Sequence, residues 1–275
     1  MTPSGKFDQL IDSAIALAPS QDMALSATVP ASHRSVAVVT ARQSGVVAGL
    51  FFTDEVLGRV SELPYTVSDL LPEGTQVSAG DTLARIEAGT HDLLRAELPM
   101  ATLIRHCSGM ATETARWVAA VDGTGARIRA SRESVPGVGE LAPYAVTVGG
   151  GETHHPAAVI TRHHAIAAGG VAEAYRLVRT TVPDLPCEVV VTSLAQLDDL
   201  LAEEPAMITL DGVELWAAQM AVQRRNRVFP TTWLAATGLT IDTAADYARS
   251  GLDFVDMPSP VHSTLDVGLD VLPAA

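Results

Sequence analysis

From Ala126 onward the sequence alternates between two hydrophobic periodicities, and this alternation restricts the fold more than any other feature of the chain. Short apolar runs at residues 126–130, 157–160, 187–192, 207–210, 231–234 and 252–255 have strand character. Helical patterns fill the gaps, among them residues 170–179, 194–201, 213–222 and 241–249. Strands returning after intervening helices, at a spacing of roughly 18 to 30 residues, fit parallel crossovers and not hairpins. Six such units can curl into a barrel. In a parallel barrel the working residues lie just beyond the strands' C-terminal ends. That rule selects Arg132, residues 161–164, Thr192, Asp211, residues 235–238 and residues 258–261.

The earlier part of the chain has a different pattern. Phe7, Leu10, Ile11, Ala14 and Ile15 recur at helical spacing, so an amphipathic helix is expected first. Strand-like runs follow at residues 35–42 and 45–52, and short alternating strands with turns at Pro72-Glu-Gly and Ala79-Gly-Asp occupy residues 65–87. A long helix is expected over residues 91–121. The turn-rich stretch from Pro72 is similar to the hairpins of biotinyl and lipoyl carrier domains, but it has no lysine to modify: Lys6 is the only lysine in the chain. The body of the chain therefore offers no lysine catalyst. The expected organisation is an N-terminal domain over residues 1–108 and a barrel over 109–261, with 262–275 returning to the first domain.

Composition narrows the possible partners. With 275 residues, 47% of them hydrophobic, the chain can bury a large core together with a smaller companion domain. The first residues lead into a polar helix and no apolar run reaches about 18 residues, so no membrane span and a cytoplasmic location are expected. The net charge of −14, with no basic cluster longer than Arg224-Arg225, disfavours nucleic acid. Cys107 and Cys187 lie in apolar contexts without a C-x-x-C pairing and read as core thiols.

The strip Ala130-Ser-Arg-Glu-Ser-Val-Pro-Gly137, Tyr144-Ala-Val146, Gly149-Gly-Gly-Glu-Thr-His-His155 and Thr161-Arg-His-His-Ala-Ile-Ala-Ala-Gly-Gly170 resembles the active-site region of the quinolinate phosphoribosyltransferase family. Further pieces match in the same order: Ser44-Gly-Val-Val-Ala-Gly49, Leu94-Arg-Ala-Glu97, Ser108-Gly-Met-Ala-Thr112, Asp184-Leu-Pro-Cys-Glu188, Leu210-Asp211, Tyr247-Ala-Arg-Ser-Gly-Leu-Asp253 and His262-Ser263. The resemblance spans nearly the whole chain. It implies an N-terminal α/β sandwich and a C-terminal open α/β barrel of the type II phosphoribosyltransferase kind. It also implies a homodimer in which each sandwich lies over the partner's barrel.

Carried over position by position, the family's basic groups are mostly replaced. The arginine expected after Ala96-Glu97 is Leu98, followed by Pro99, and the Thr-Arg-Lys-Thr motif reads Ser131-Arg132-Glu133-Ser134. Asn-His-Arg becomes Thr153-His154-His155, and Ile-Lys-Asp-Asn-His becomes Ile160-Thr161-Arg162-His163-His164. Of the ribose-binding acids Asp211 is kept, whereas the glutamate expected two residues past Glu188 is Val190. The last phosphate loop, expected over residues 256–261, contains Pro258 and Pro260, which have no N–H to donate. Charge-assisted hydrogen bonds contribute about 1.5 to 3 kcal/mol each, so four missing cations would forfeit on the order of 6 to 12 kcal/mol. Micromolar affinity is only about 8 kcal/mol. On that count phosphoribosyl pyrophosphate (PRPP) is not the expected substrate and transfer is weak or lost.

The remaining residues suggest altered chemistry. Arg132 is a planar fork suited to a carboxylate. With His154, His155, Arg162, Glu188, Gly150, Asp211 and His262 it is expected to bind a small anionic or aromatic molecule. Glu133, His154, His163 and His164 are the acid/base candidates. Four of the eight histidines fall between residues 154 and 164, and His154, His163 and His164 with Asp211 could hold a divalent metal, zinc or magnesium. Two other functions remain open: a non-catalytic binding or scaffolding subunit, and a working carboxylating nicotinate-nucleotide pyrophosphorylase of NAD biosynthesis.

Overall fold

The computed structural model describes residues 5–18, 22–154 and 157–272. The chain separates into two compact units. One comprises Met1–Ala115, Ser134–Gly149 and Pro260–Ala275; the other comprises Arg116–Glu133 and Gly150–Ser259. Ser134–Gly149 thus clusters with the first unit, although the sequence reading assigned it to the barrel stretch.

The first unit opens with helices α1 (Asp8–Ala16) and α2 (Met23–Thr28), then strand β1 (Arg34–Ala41). After β2 (Gly45–Val46) comes α3 (Phe52–Val60), followed by β3 (Thr66–Ser68), β4 (Gln76–Val77) and β5 (Thr82–Gly89). The long helix α4 runs Thr90–Ala120, and α5 spans Leu141–Val148. β5 pairs antiparallel with both β1 and β3, while β2 and β4 form a separate ribbon.

The expected strand over residues 45–52 is cut short at Val46, because the chain turns at Gly49, whose φ is +82°. Glu73 holds that turn, accepting the N–H groups of Gly49 (2.6 Å) and Leu50 (2.7 Å). Phe52, Val56 and Leu57 then present one buried helical face. Phe7, Phe51, Phe52 and Tyr144 pack together with ring centroids 4.2 to 6.0 Å apart.

The second unit is the alternating part of the chain. Its strands are β6 (Arg127–Ala130), β7 (Ala158–Ile160), β8 (Cys187–Val191), β9 (Met207–Asp211), β10 (Trp233–Thr237) and β11 (Phe254–Met257). Its helices are α6 (Arg162–Ala168), α7 (Val171–Thr181), α8 (Leu194–Leu201), α9 (Leu215–Val228) and α10 (Ile241–Arg249). The strands form one parallel sheet in the order β6-β11-β10-β9-β8-β7. The outer edge of β6 is met by Glu152 in a parallel bridge to Arg129, so the barrel continues past β6 without a full extra strand.

Successive strand residues face opposite ways. Ile128, Val189, Ile208, Leu234 and Val255 are at most 2% exposed and form the apolar set. The alternate positions carry Arg129, Glu188, Thr209 and Asp256, a polar layer inside the barrel that is itself 3 to 5% exposed.

The last strand, β12 (Val267–Val271), returns to the first unit and pairs antiparallel with β1. The four-stranded sheet of that unit therefore has the order β12-β1-β5-β3. Among the described residues no helix is long and apolar enough to cross a membrane.

Candidate active site

The polar layer of the barrel is organised around one guanidinium. Arg129, from β6, donates through Nε to Asp256 Oδ1 (2.7 Å) and through one terminal nitrogen to Asp256 Oδ2 (2.8 Å). The same nitrogen reaches Glu188 Oε1 at 2.8 Å, and the Thr209 hydroxyl donates to that oxygen at 2.6 Å. The other carboxylate oxygen, Oε2, accepts from Arg132 at 3.0 Å and lies 3.5 Å from His154 Nδ1. A distance of 3.5 Å is too long for a good hydrogen bond. The His154 contact is therefore a close approach and not a hydrogen bond, and among the described residues neither buried ring nitrogen has a hydrogen-bond partner.

The two carboxylates respond differently to this setting. Burial pushes Glu188 up, but His154, the Arg129 charge and the Thr209 hydroxyl together outweigh it, so its carboxyl titrates well below the usual range. Asp256 is pushed up by burial more than its Arg129 contacts draw it down. Glu188 is thus the firmly ionised partner. Beneath this layer, at the strands' N-terminal ends, a cavity of about 230 Å³ is lined by Arg129, Met207, Trp233 and Phe254 among others. Arg127 stacks there on Phe254, 4.1 Å from the ring centroid.

Of the residues selected from sequence, Arg132, His154 and Glu188 converge. Glu188 is 4% exposed with both oxygens occupied by protein groups, whereas the Arg132 side chain is 42% exposed. Asp211 ends β9 on the exposed side, followed by Gly212 at φ +62°. Glu133 is exposed, and its backbone carbonyl accepts from Ser259 Oγ at 2.7 Å. Gly150 takes φ +85° in the turn after α5.

Arg162, His163 and His164 form the exposed first turn of α6. His164 Nδ1 accepts the Thr161 backbone N–H at 3.1 Å and pairs with the Thr161 hydroxyl at 2.9 Å. It is committed to the helix start. His262 belongs to the first unit, where its charge helps burial lower the His106 pKa. His155 lies outside the described residues. The metal site expected from His154, His163, His164 and Asp211 is not assembled: among the described residues no three His, Cys, Asp or Glu side chains converge to hold an ion. The physical reason is local, since a helix cap occupies one of the histidines and adjacent residues diverge.

Sequence reasoning missed Arg129, Thr209 and Asp256. Asp256 was expected in the phosphate loop but stands inside β11, paired with Arg129 in register. The available signal was the run Arg127-Ile-Arg-Ala130, where a charge recurs at every second position of a strand.

This architecture and site define a phosphoribosyl-transferase type of barrel. Residues 110–271 match the quinolinate phosphoribosyl transferase C-terminal domain and residues 22–108 the N-terminal domain of the same family. The chain belongs to that family. It is 42% identical over 261 residues to the nicotinate-nucleotide pyrophosphorylase [carboxylating] of Mycobacterium leprae (strain TN), covering 91% of each chain. It is 27% identical to the human nicotinate-nucleotide pyrophosphorylase [carboxylating], covering 84% of this chain and 80% of that protein. The crystal structure of nicotinate-nucleotide pyrophosphorylase from Ehrlichia chaffeensis superimposes with a TM-score of 0.89 at 24% identity, covering 99% of this chain and 100% of the other.

These relationships correct the expectation of a changed reaction with weak or lost transfer. Identity of 42% across both units to a carboxylating pyrophosphorylase favours the working enzyme that was the last of the three alternatives. The sum over missing cations is no more than an upper bound, because the terms of neighbouring charges are not additive. It also left out the buried Arg129 that underlies the site.

Proposed function

We propose that the protein is a carboxylating nicotinate-nucleotide pyrophosphorylase. The reaction joins quinolinate to the ribosyl carbon of PRPP, expels pyrophosphate and releases carbon dioxide, leaving nicotinate mononucleotide. The observation that carries this reading is the 42% identity, over 91% of both chains, to a relative bearing that name.

The site has the groups for such a task. Arg132 is exposed at the barrel mouth and can offer a carboxylate its remaining N–H donors. The unpartnered His154 nitrogens can meet a second acidic group of the pyridine ring. Arg162, just past β7, adds positive charge for the phosphates, and Asp211, just past the β9 core, can accept from ribose hydroxyls. Because pyrophosphate leaves as an anion, catalysis consists mainly of orienting the acceptor and stabilising developing charge. We further propose a cytoplasmic homodimer, each sandwich set over the partner's barrel, as the family resemblance implies.

Pyrophosphate and carbon dioxide release from quinolinate, PRPP and magnesium tests this directly. Stoichiometric release of both is expected, with kcat/KM for quinolinate falling at least tenfold in Arg132→Ala. Absence of turnover in folded protein, under conditions where a related pyrophosphorylase is active, would overturn the reading. Light scattering in solution tests the dimer.

A further inference from the structure

We infer that Glu188 is a positioning residue: its buried carboxylate clamps the Arg132 guanidinium, and is itself fixed by Arg129 and Thr209. The inference rests on the activity proposed above and assigns Glu188 a part other than touching substrate.

The geometry separates the two oxygens of one carboxylate. Oε1 faces the interior and is saturated by Arg129 (2.8 Å) and Thr209 (2.6 Å). Oε2 faces the mouth and meets Arg132 (3.0 Å) and His154 (3.5 Å). The charged and titratable groups around Glu188 among the described residues are Arg129 from β6, Asp256 from β11, Arg132 from the loop after β6 and His154 from the segment bridging β6. At 4% exposure, with its oxygens taken, Glu188 has no face left for a ligand. Arg132 is the reverse case: a long side chain, 42% exposed, with one nitrogen tied down. An untethered arginine loses substantial rotamer entropy on gripping a carboxylate. One held by a rigid buried anion has already lost it, so the tether lowers the cost of binding. Arg129 in turn is locked by its two bonds to Asp256, so the chain from Asp256 through Arg129 and Glu188 to Arg132 runs from the barrel interior to its mouth.

The test is a double-mutant cycle. Quinolinate and the non-reacting dicarboxylate phthalate are titrated calorimetrically into wild type, Glu188→Gln, Arg132→Ala and the double variant. Glu188→Gln keeps the shape and one acceptor but removes the charge. It is expected to weaken both ligands about tenfold, and to raise KM for quinolinate more than it lowers kcat. In the Arg132→Ala background it is expected to have no further effect, because its influence passes through that arginine. An undiminished effect in that background would overturn the inference and leave Glu188 a merely structural group.

Should Glu188→Gln fail to fold, Thr209→Val removes only the hydroxyl that pins Oε1 and is expected to give a smaller loss with the same dependence on Arg132. A second readout is independent of turnover: the Nε–H signal of Arg132 in ¹⁵N relaxation is expected to be ordered in wild type and mobile in Glu188→Gln. Equal mobility in both refutes the clamp. An ordered Arg132 in a protein that neither binds nor turns over quinolinate would refute the proposed activity and leave the clamp standing.

Discussion

Replacing Arg129 with methionine removes a guanidinium from between two carboxylates that are each about 5% exposed. Asp256 loses two hydrogen bonds and, among the described residues, its one cationic neighbour at bonding distance; Glu188 loses one bond but keeps Arg132 and Thr209. Leaving a buried charge unpaired costs about 3 to 5 kcal/mol. Because Glu188 is partly compensated, about 4 kcal/mol is expected at pH 7, equivalent to roughly 2 M urea for a slope near 2 kcal/mol/M. Trp117, Trp216 and Trp233 all belong to the second unit, so tryptophan fluorescence during urea titration reports on the barrel itself.

The pH dependence gives the sharper test. In the wild type Glu188 is held below its unfolded value, so its contribution is present above the unfolded pKa and is lost as pH falls toward the folded one. Asp256, raised by burial, works in the opposite sense: its contribution is complete at low pH and is lost as pH rises through the folded pKa. Without Arg129, burial dominates at Asp256, and the variant regains stability as that carboxylate takes up its proton. The difference between the two proteins therefore shrinks from pH 7 to pH 5. A difference below about 1 kcal/mol at pH 7, well short of the buried-pair cost, or one that grows on acidification, would refute the view that Arg129 organises this layer.

Other expectations follow from single features. A Cβ added at Gly109 would sit 2.2 Å from the Thr264 Cα, a backbone atom that cannot swing away, so Gly109→Ala should cost about 3 kcal/mol in thermal or chemical unfolding, whereas unchanged stability would show that α4 and residues 263–264 separate easily. Burial holds the Cys107 thiol well above its ordinary range and pushes Cys187 up to about 11; a disulfide reagent at pH 8 should titrate neither thiol in the native protein and both in denaturant. His164→Ala removes the side chain that caps α6 and should cost about 1 kcal/mol, a loss that added zinc neither mimics nor reverses.

The barrel was readable because its strands announce themselves twice, by apolar runs and by the helices that separate them. β8 and β9 begin at Cys187 and Met207 as the pattern suggests, and α8 and α10 keep the expected bounds. The first unit was harder. Val46 through Phe52 is continuously apolar apart from Gly49, and such a run does not say whether it is strand or helix. The left-handed turn at Gly49 decides it, and that turn depends on Glu73, more than twenty residues away. In the site, Arg132 and His154 were legible from motif and chemistry. Their meeting point on Glu188 was not, because a carboxylate in β8 and an arginine just past β6 reveal their partnership only once the register between strands is set. The histidine cluster misled for the same reason: nearness in sequence at residues 154–164 is not nearness of side chains.

The pairing of β12 with β1 bears on how the molecule is made. During synthesis β1 leaves the ribosome long before Val267–Val271 exists to cover its outer side. At roughly 5 to 20 residues per second, that interval is on the order of 10 to 45 s. Throughout it, an eight-residue strand stands with an open row of amides and carbonyls, the arrangement that invites neighbouring nascent chains to zip on. Translation speed across the barrel segment, and any chaperone that shields this edge meanwhile, should therefore govern the yield of native protein. A tag or truncation that disturbs the closing strand should show first as aggregation.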